Sequence, residues 1–319
     1  MEDPILVTVV TPIYNTGREV IESIDSVESS GFESREHVLV DDASTDDSPA
    51  LVLAHLKEIG SKAIWVQNES NRGIAGTKMR ALQLAQGKYV ASLSDDRMRP
   101  NMLHEAVKCL EAHPELDVVF GLVSRFEHGT NRELGVIGHW KGQEIPGEVI
   151  DAREMASELL LQCFIPSMAA VIRRETLLRF GYDESMIIED YPLWIRMLTS
   201  GCRFAHIPSI WIDYRQTSNS IQKRKPSAVE FDALRSRLLF RDSGLVDKRD
   251  FERVMWRVFW SKITVFETKH RRSAFTILAK ECCSYPSSPL VGLWLYGQVF
   301  FAKYMSRLQR WIIRQFSGD

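Results

Sequence analysis

The first 123 residues alternate short β-branched runs with stretches of helical period, and few folds are open to a chain written this way. Residues 5–11 read ILVTVVT, apolar on both alternating sets and closed by Pro12, which predicts a strand buried on both faces. Val20, Ile21, Ile24 and Val27 then recur at helical spacing within 18–28. The alternation continues with strands at 37–42 (HVLVDD), 63–67 (AIWVQ), 88–94 (KYVASLS) and 117–123 (DVVFGLV). Helices are expected between them at 46–59, 75–86 and 101–112, the first capped by Ser44 or Thr45. Short links between βα units imply an α/β fold, a doubly wound and mostly parallel sheet whose ligands bind beyond the carboxyl ends of its strands.

After residue 123 the rhythm breaks. The segment 124–150 is polar and glycine-rich with no clear period, 157–164 reads as a helix, 168–172 as a short strand and 190–199 as a helix. From 227 onward no strand pattern survives, and helices are expected near 228–242, 248–269, 273–284 and 290–315. The expected organisation is a unit over 1–225, in halves 1–123 and 124–225, followed by a helical C-terminal region over 226–319.

Composition narrows the classes. A 319-residue chain that is 45% hydrophobic, with 18 Gly and 12 Pro, is neither disordered nor collagen-like. A net charge of −2 argues against a nucleic-acid binder, yet it averages an acidic body and a basic tail. Residues 251–319 hold 11 Lys+Arg against 4 Asp+Glu, and residues 1–250 hold 29 against 38. The five cysteines (109, 163, 202, 282 and 283) imply reduced, cytosolic thiols rather than a disulfide framework. CxxC and HExxH spacings are absent, which argues against zinc. The N-terminus puts acids where an export signal needs bases, and the apolar run 289–301 is shorter than the ~20 residues of a membrane span, so the expected location is cytoplasmic.

The strand ends carry the chemistry. The first strand runs into Thr11-Pro12-Ile13-Tyr14-Asn15, the second into Asp41-Asp42-Ala43-Ser44-Thr45-Asp46 and the fourth into Ser94-Asp95-Asp96-Arg97. On a parallel sheet these ends share one edge, so several carboxylates line one cleft. GxGxxG and GxxxxGK[ST] are both missing, so a diphosphate bound here needs another source of positive charge, which a hard divalent cation on carboxylate oxygens supplies. The lack of a glycine-rich basic loop after the first strand also argues against nucleotidyl transfer. Each acid has a plain alternative: an Asx turn for Asp41 or Asp42, a solvated turn for Asp95-Asp96, and a helix N-cap for Asp190.

Taken in order, these segments resemble the family 2 glycosyltransferases over roughly residues 5–220. VTVVTPIYN is similar to that family's opening strand and Pro-x-Tyr-Asn turn, and VDDASTD to its Val-Asp-Asp-Gly-Ser-Thr-Asp segment. Asn71-Arg72-Gly73 with Lys78 and Ala81 resembles its Asn-x-Gly and Ala-Arg-Asn-x-Gly stretch. Gly87-Lys88-Tyr89-Val90 leading to Ser94-Asp95-Asp96 resembles the strand that delivers its Asp-x-Asp, here in a Ser-Asp-Asp form that some members carry. Glu189-Asp190 with Leu193-Trp194-Ile195-Arg196 is similar to its Glu-Asp-x-x-Leu-Trp-x-Arg.

The resemblance implies a GT-A, Rossmann-like catalytic domain over 1–225, with a nucleotide-sugar half at 1–123 and an acceptor half at 124–225. It implies an inverting, Mn²⁺- or Mg²⁺-dependent transfer from a nucleotide-diphosphate sugar, a UDP-sugar foremost, to a glycan or lipid-linked acceptor in surface polysaccharide biosynthesis. Thr11 and Asp42 would hold the base, Pro12 and Tyr14 would shape its pocket, and Lys78 would lie near the nucleotide. Asp95 would face the ribose or donor sugar, Asp96 would bind the metal, and Asp190 would be the general base. Many members carry a His where Thr217 stands. The alternative is a non-catalytic nucleotide-sugar-binding protein on the same fold. The aromatic, basic tail, with Trp294, Phe300 and Trp311 beside Arg307, Arg310 and Arg314, is expected to pack on the catalytic domain, to form a homodimer, or to rest peripherally on the inner membrane face.

Overall fold

The computed structural model describes residues 4–140, 146–216, 220–262 and 265–282. Strands β1 (Val7–Ile13), β2 (Arg35–Asp41), β3 (Ile64–Gln67) and β4 (Tyr89–Ser92) alternate with helices α1 (Glu19–Glu28), α2 (Ser48–Glu58) and α3 (Gly73–Leu84). They form a parallel half-sheet in the order β3-β2-β1-β4. Every residue of β1 is buried, as expected for a central strand covered on both faces.

The second half is mixed. Its elements are β5 (Arg97–Met98), α4 (Asn101–Ala112), β6 (Val118–Glu127), β7 (Glu133–Ile137), α5 (Ala152–Leu161), β8 (Ala170–Arg173), α6 (Arg174–Phe180), α7 (Asp190–Thr199) and β9 (Phe204–Gln216). β6 does not continue the parallel series beside β4. β8 inserts between them, antiparallel to both, and β9 then runs parallel to β6. The sheet thus reads β3-β2-β1-β4-β8-β6-β9-β5, with β7 paired to β6.

β9 escapes a periodicity reading because Pro208 and Ser209 interrupt it. The structure takes up the interruption as a bulge, where the β6 register moves from Phe120↔His206 to Leu122↔Ile210. Beneath that bulge the Trp211 indole lies on Gly121, where a Cβ would come within 2.4 Å of the ring. Trp211 is fully buried, and its Nε1–H donates to Glu105 Oε2 at 2.7 Å. Gly121→Ala is therefore expected to cost about 1–3 kcal/mol by overpacking, read as a fall in urea midpoint at unchanged slope. A midpoint equal to that of the parent would contradict this packing.

The remaining helices, α8 (Ile221–Arg224), α9 (Pro226–Arg237), α10 (Lys248–Lys262) and α11 (Thr268–Cys282), do not form a core of their own. Leu234, Phe251, Met255, Phe259, Ala274 and Leu278 join the same apolar cluster as Leu159 of α5 and Trp194 and Ile195 of α7. Full burial of a Leu, Phe or Met side chain contributes about 1.5–3 kcal/mol, so these helices are held to the second half of the sheet by a shared core. Residues 283–319, including the last expected helix and Trp294, Phe300 and Trp311, lie outside the described residues, as does Thr217. Among the described residues no helix is long and apolar enough to cross a membrane.

Candidate active site

The ends of β1 and β2 are stitched together by the polar residues that follow them. Asn15 and Ala43, both in the left-handed region (φ 50° and 57°), turn the chain out of the two strands. The Asn15 N–H donates to Ser44 Oγ at 3.0 Å, and Asn15 Oδ1 accepts the Thr45 N–H at 2.9 Å. Ser44 and Thr45 therefore do not cap α2, because their hydroxyls are turned toward the loop after β1. Asp46 Oδ1 instead accepts the Ser48 N–H at 3.0 Å, and Ser48 Oγ accepts the N–H groups of Thr16 and Gly17. Pro12 is buried in this frame and Tyr14 stands exposed beside it.

Asp42 is buried, and its carboxylate organises the neighbouring loop. Oδ1 accepts from Asn68 Nδ2 at 2.7 Å and from the Arg72 N–H at 2.8 Å, while Oδ2 accepts the Gly73 N–H at 2.9 Å. A carboxylate against the first N–H groups of α3 is favourable both as a cap and toward the helix dipole. The Thr11 hydroxyl lies within β1, fully buried and 2.9 Å from His37 Nε2. Burial pushes His37 down, which keeps the ring neutral, so Nε2 can accept the Thr11 O–H while Nδ1 faces Glu28 at 3.4 Å. The structure thus commits the Thr11 side chain to the sheet interior.

Asp95 and Asp96 follow β4. Asp96 is buried, its Oδ1 accepting the Arg215 N–H from β9 at 2.9 Å. Burial raises the Asp95 carboxyl, and burial together with the adjacent Asp95 charge raises Asp96 well above the ordinary range. The Arg215 guanidinium donates to the Asp95 carbonyl at 3.3 Å and pairs with Glu22 at 2.5 Å, and its Nη1 lies 3.3 Å from His128 Nδ1. Arg215, Glu22 and His128 were missed by sequence reasoning, since they come from β9, α1 and the β6–β7 turn with no shared spacing. Among the described residues no three His, Cys, Asp or Glu side chains are grouped as a protein-only metal cage. Two adjacent carboxylates suit a hard divalent ion that takes few protein ligands and completes its shell on phosphate oxygens and water.

Asp190 opens α7 and lines a small cavity with Ser92, Ser167, Tyr182 and Trp194. It does not cap the helix in the expected way; its Oδ1 accepts the N–H of the next residue, Tyr191, at 2.7 Å. Burial and then Glu189 raise its carboxyl, Lys78 and the Tyr191 N–H oppose them, and the result is about 7. Lys78, expected near the nucleotide, is buried on α3 with Nζ 2.6 Å from Glu189 Oε1 and 5.6 Å from the centre of the Tyr182 ring. The segment 181–189 that carries Glu189 is tied down from two sides. Arg72 reaches Glu184 at 3.4 Å and Met79 Sδ accepts the Tyr182 N–H at 3.2 Å, while Asp232 of α9 accepts the Ile187 N–H at 2.6 Å.

Acids at the end of β4 and a separate raised acid at the start of α7 suit a transfer that needs a charge-bearing side and a proton-accepting side. A family profile described as Glycosyl transferase family 2 matches residues 8–178, more than half of the chain. The chain belongs to glycosyl transferase family 2. It is similar to the amylovoran biosynthesis glycosyltransferase AmsB of Erwinia amylovora, 25% identical over 249 residues that cover 74% of this chain and 79% of the relative. It is also similar to WfaP of Escherichia coli, a UDP-Glc:alpha-D-GlcNAc-diphosphoundecaprenol beta-1,3-glucosyltransferase. The two are 24% identical over 223 residues, covering 69% of this chain and 81% of the relative. Among solved structures, S. aureus TarS 1-349 in complex with UDP-GlcNAc superposes with a TM-score of 0.63 at 15% identity, over 86% of this chain and 81% of that chain. The fold is therefore GT-A, and this family 2 chain is a glycosyltransferase.

Proposed function

We propose that this family 2 enzyme is an inverting, divalent-cation-assisted transferase that moves a sugar from a nucleotide-diphosphate sugar, a UDP-sugar foremost, to a hydroxyl of a glycan or lipid-linked acceptor during surface polysaccharide synthesis. The observation that carries this reading is Asp190: a carboxylate at a helix start, lining a cavity, with its proton affinity raised to about 7. A base poised near the working pH is ionised often enough to act and basic enough to take a proton. The names of AmsB and WfaP support the polysaccharide context, and those of WfaP and TarS support a UDP-sugar.

In the proposed step the acceptor oxygen bonds to the anomeric carbon as the bond from that carbon to the diphosphate oxygen breaks, with inversion. Asp190 takes the acceptor proton, and the leaving nucleoside diphosphate carries away the electron pair. Asp96, with Asp95 beside it, would hold a divalent cation, which when bound offsets the charge gathering on the diphosphate. Asp42 fixes the start of α3 and, with Pro12 and Tyr14, frames the edge where the base would lie, while the Thr11 hydroxyl supports that edge from within the sheet.

A thermal-shift panel of UDP-glucose, UDP-GlcNAc and GDP-mannose, each with and without Mn²⁺, tests the donor class. Ligand at 100 times its dissociation constant adds about 2.7 kcal/mol of stability, a clear rise in Tm. One donor should stabilise strongly, and more so with Mn²⁺. No response to any of them, at concentrations that stabilise a known transferase, would remove the donor assignment.

A further inference from the structure

The Lys78–Glu189 pair is unusual in its placement. Both partners are shielded from water, with side-chain exposures of 4% and 13%, yet they come from opposite halves of the sheet, Lys78 from α3 and Glu189 from the residue just before α7. Removing two charges from water is costly, and a buried pair is weak grounds for added stability. What the pair does have is a third group beside it, because Glu189 and Asp190 are consecutive. Two adjacent, half-buried carboxylates resist ionising together unless a cation stands against one of them. Lys78 is that cation: its Nζ lies on Glu189 Oε1 at 2.6 Å, and although burial pulls the ammonium toward losing its proton, the Glu189 and Asp190 carboxylates outweigh burial and hold it protonated.

We infer that Lys78 is a positioning residue that, through its buried ion pair with Glu189, shields Asp190 from its acidic neighbour and keeps it in the proton-accepting state. The inference rests on the proposed role of Asp190 as base. The other groups facing Asp190 do not substitute for Lys78. Tyr182, from the segment before α7, is pushed up to about 12 by burial and stays neutral. Cys163, from beyond α5, is exposed and brings no positive charge that could stand in for Lys78. The N–H of Tyr191 donates to Asp190 at 2.7 Å but is uncharged and local to α7, independent of the Lys78–Glu189 pair. Among these groups Lys78 alone brings a positive charge, and Glu189 alone a second negative one.

The two ends of the pair therefore predict opposite results. Lys78→Met exposes Asp190 to an uncompensated Glu189, and the acid limb of kcat/KM should move to higher pH. A displacement of about one pH unit lowers the rate about five-fold at pH 7 and leaves it little changed at pH 9. Glu189→Gln removes the like charge while leaving the ammonium, and the limb should move to lower pH. Lys78→Arg keeps the charge and should restore the parent limb. Lys78→Met and Glu189→Gln limbs coincident with that of the parent would overturn the inference. If Lys78→Met does not fold, the direction of the Glu189→Gln limb decides: downward supports the inference and no movement overturns it. The Asp190 carboxyl ¹³C shift, followed through pH in parent and variants, separates this inference from the one beneath it. If Asp190→Asn turns over normally while the carboxyl titration still moves in opposite directions, the base assignment fails and the Lys78 coupling stands. If Asp190→Asn is inactive and the titration does not move, the coupling alone fails.

Discussion

Asp190→Asn is expected to lower kcat by about 10²–10⁴, the range in which a positioned base contributes, while nucleotide-sugar binding survives. Asparagine keeps the oxygen that accepts the Tyr191 N–H, so the start of α7 should hold its geometry and the loss should be chemical. The parent enzyme should show an acid limb with a midpoint near 7, because a base must be ionised to act and burial and Glu189 raise the Asp190 carboxyl to about 7. Below that pH the base is protonated and the rate falls tenfold per unit; the limb should be missing from whatever residual rate the variant retains. Turnover by Asp190→Asn within a few-fold of the parent would eliminate the assignment.

The same residue predicts a stability effect of opposite value. A carboxyl whose proton affinity is higher folded than unfolded favours the folded state at low pH, and that contribution is lost as pH rises from the unfolded value near 4 through about 7. At pH 8 the parent therefore carries an ionised, partly buried acid that asparagine does not. Asp190→Asn should melt higher than the parent at pH 8, by on the order of 1 kcal/mol after allowing for solvent screening, with the gain vanishing near pH 4. A proposed base kept at the expense of stability would follow a common trade at active sites.

How much of this was legible in the sequence follows from what periodicity can carry. The βα alternation of the first half appears strand for strand, because β1, β2 and β4 bury β-branched residues within a few positions of a Gly, Pro or Asp. The second half was not legible in the same way. β8 looks like any short apolar run, and nothing local says that it inserts antiparallel between β4 and β6. β9 was hidden by Pro208, and β7, whose residues are mostly exposed, has no alternation to display. Site residues adjacent to strand ends, such as Asp42, Asp95 and Asp96, could be singled out because a parallel sheet brings those ends together. Their partners could not. Asn68 reaches Asp42 across 26 residues, Arg215 reaches Asp96 across 119, and Glu22 pairs with Arg215 across 193, through bonds that only the tertiary structure creates. Lys78 shows the limit of resemblance: position in a motif suggested the nucleotide, and packing put the ammonium on Glu189.

Asp96→Asn is expected to abolish the Mn²⁺-dependent part of donor binding and to lower kcat by at least about 10², the scale on which removing one stabiliser of developing charge is felt. The amide oxygen can still accept the Arg215 N–H that Asp96 Oδ1 takes at 2.9 Å, so β9 should stay in register and the free protein should fold as before. Asp96→Ala provides the contrast. It removes the proposed cation ligand and also leaves the buried Arg215 N–H without its acceptor, which costs about 1–3 kcal/mol. The two variants should thus be equally poor with Mn²⁺ and the donor but differ in melting temperature without ligands, alanine being the lower. If Asp96→Asn gains as much stability from Mn²⁺ with the donor as the parent does, the ion is held elsewhere, and Asp96 serves the β4–β9 connection rather than the diphosphate.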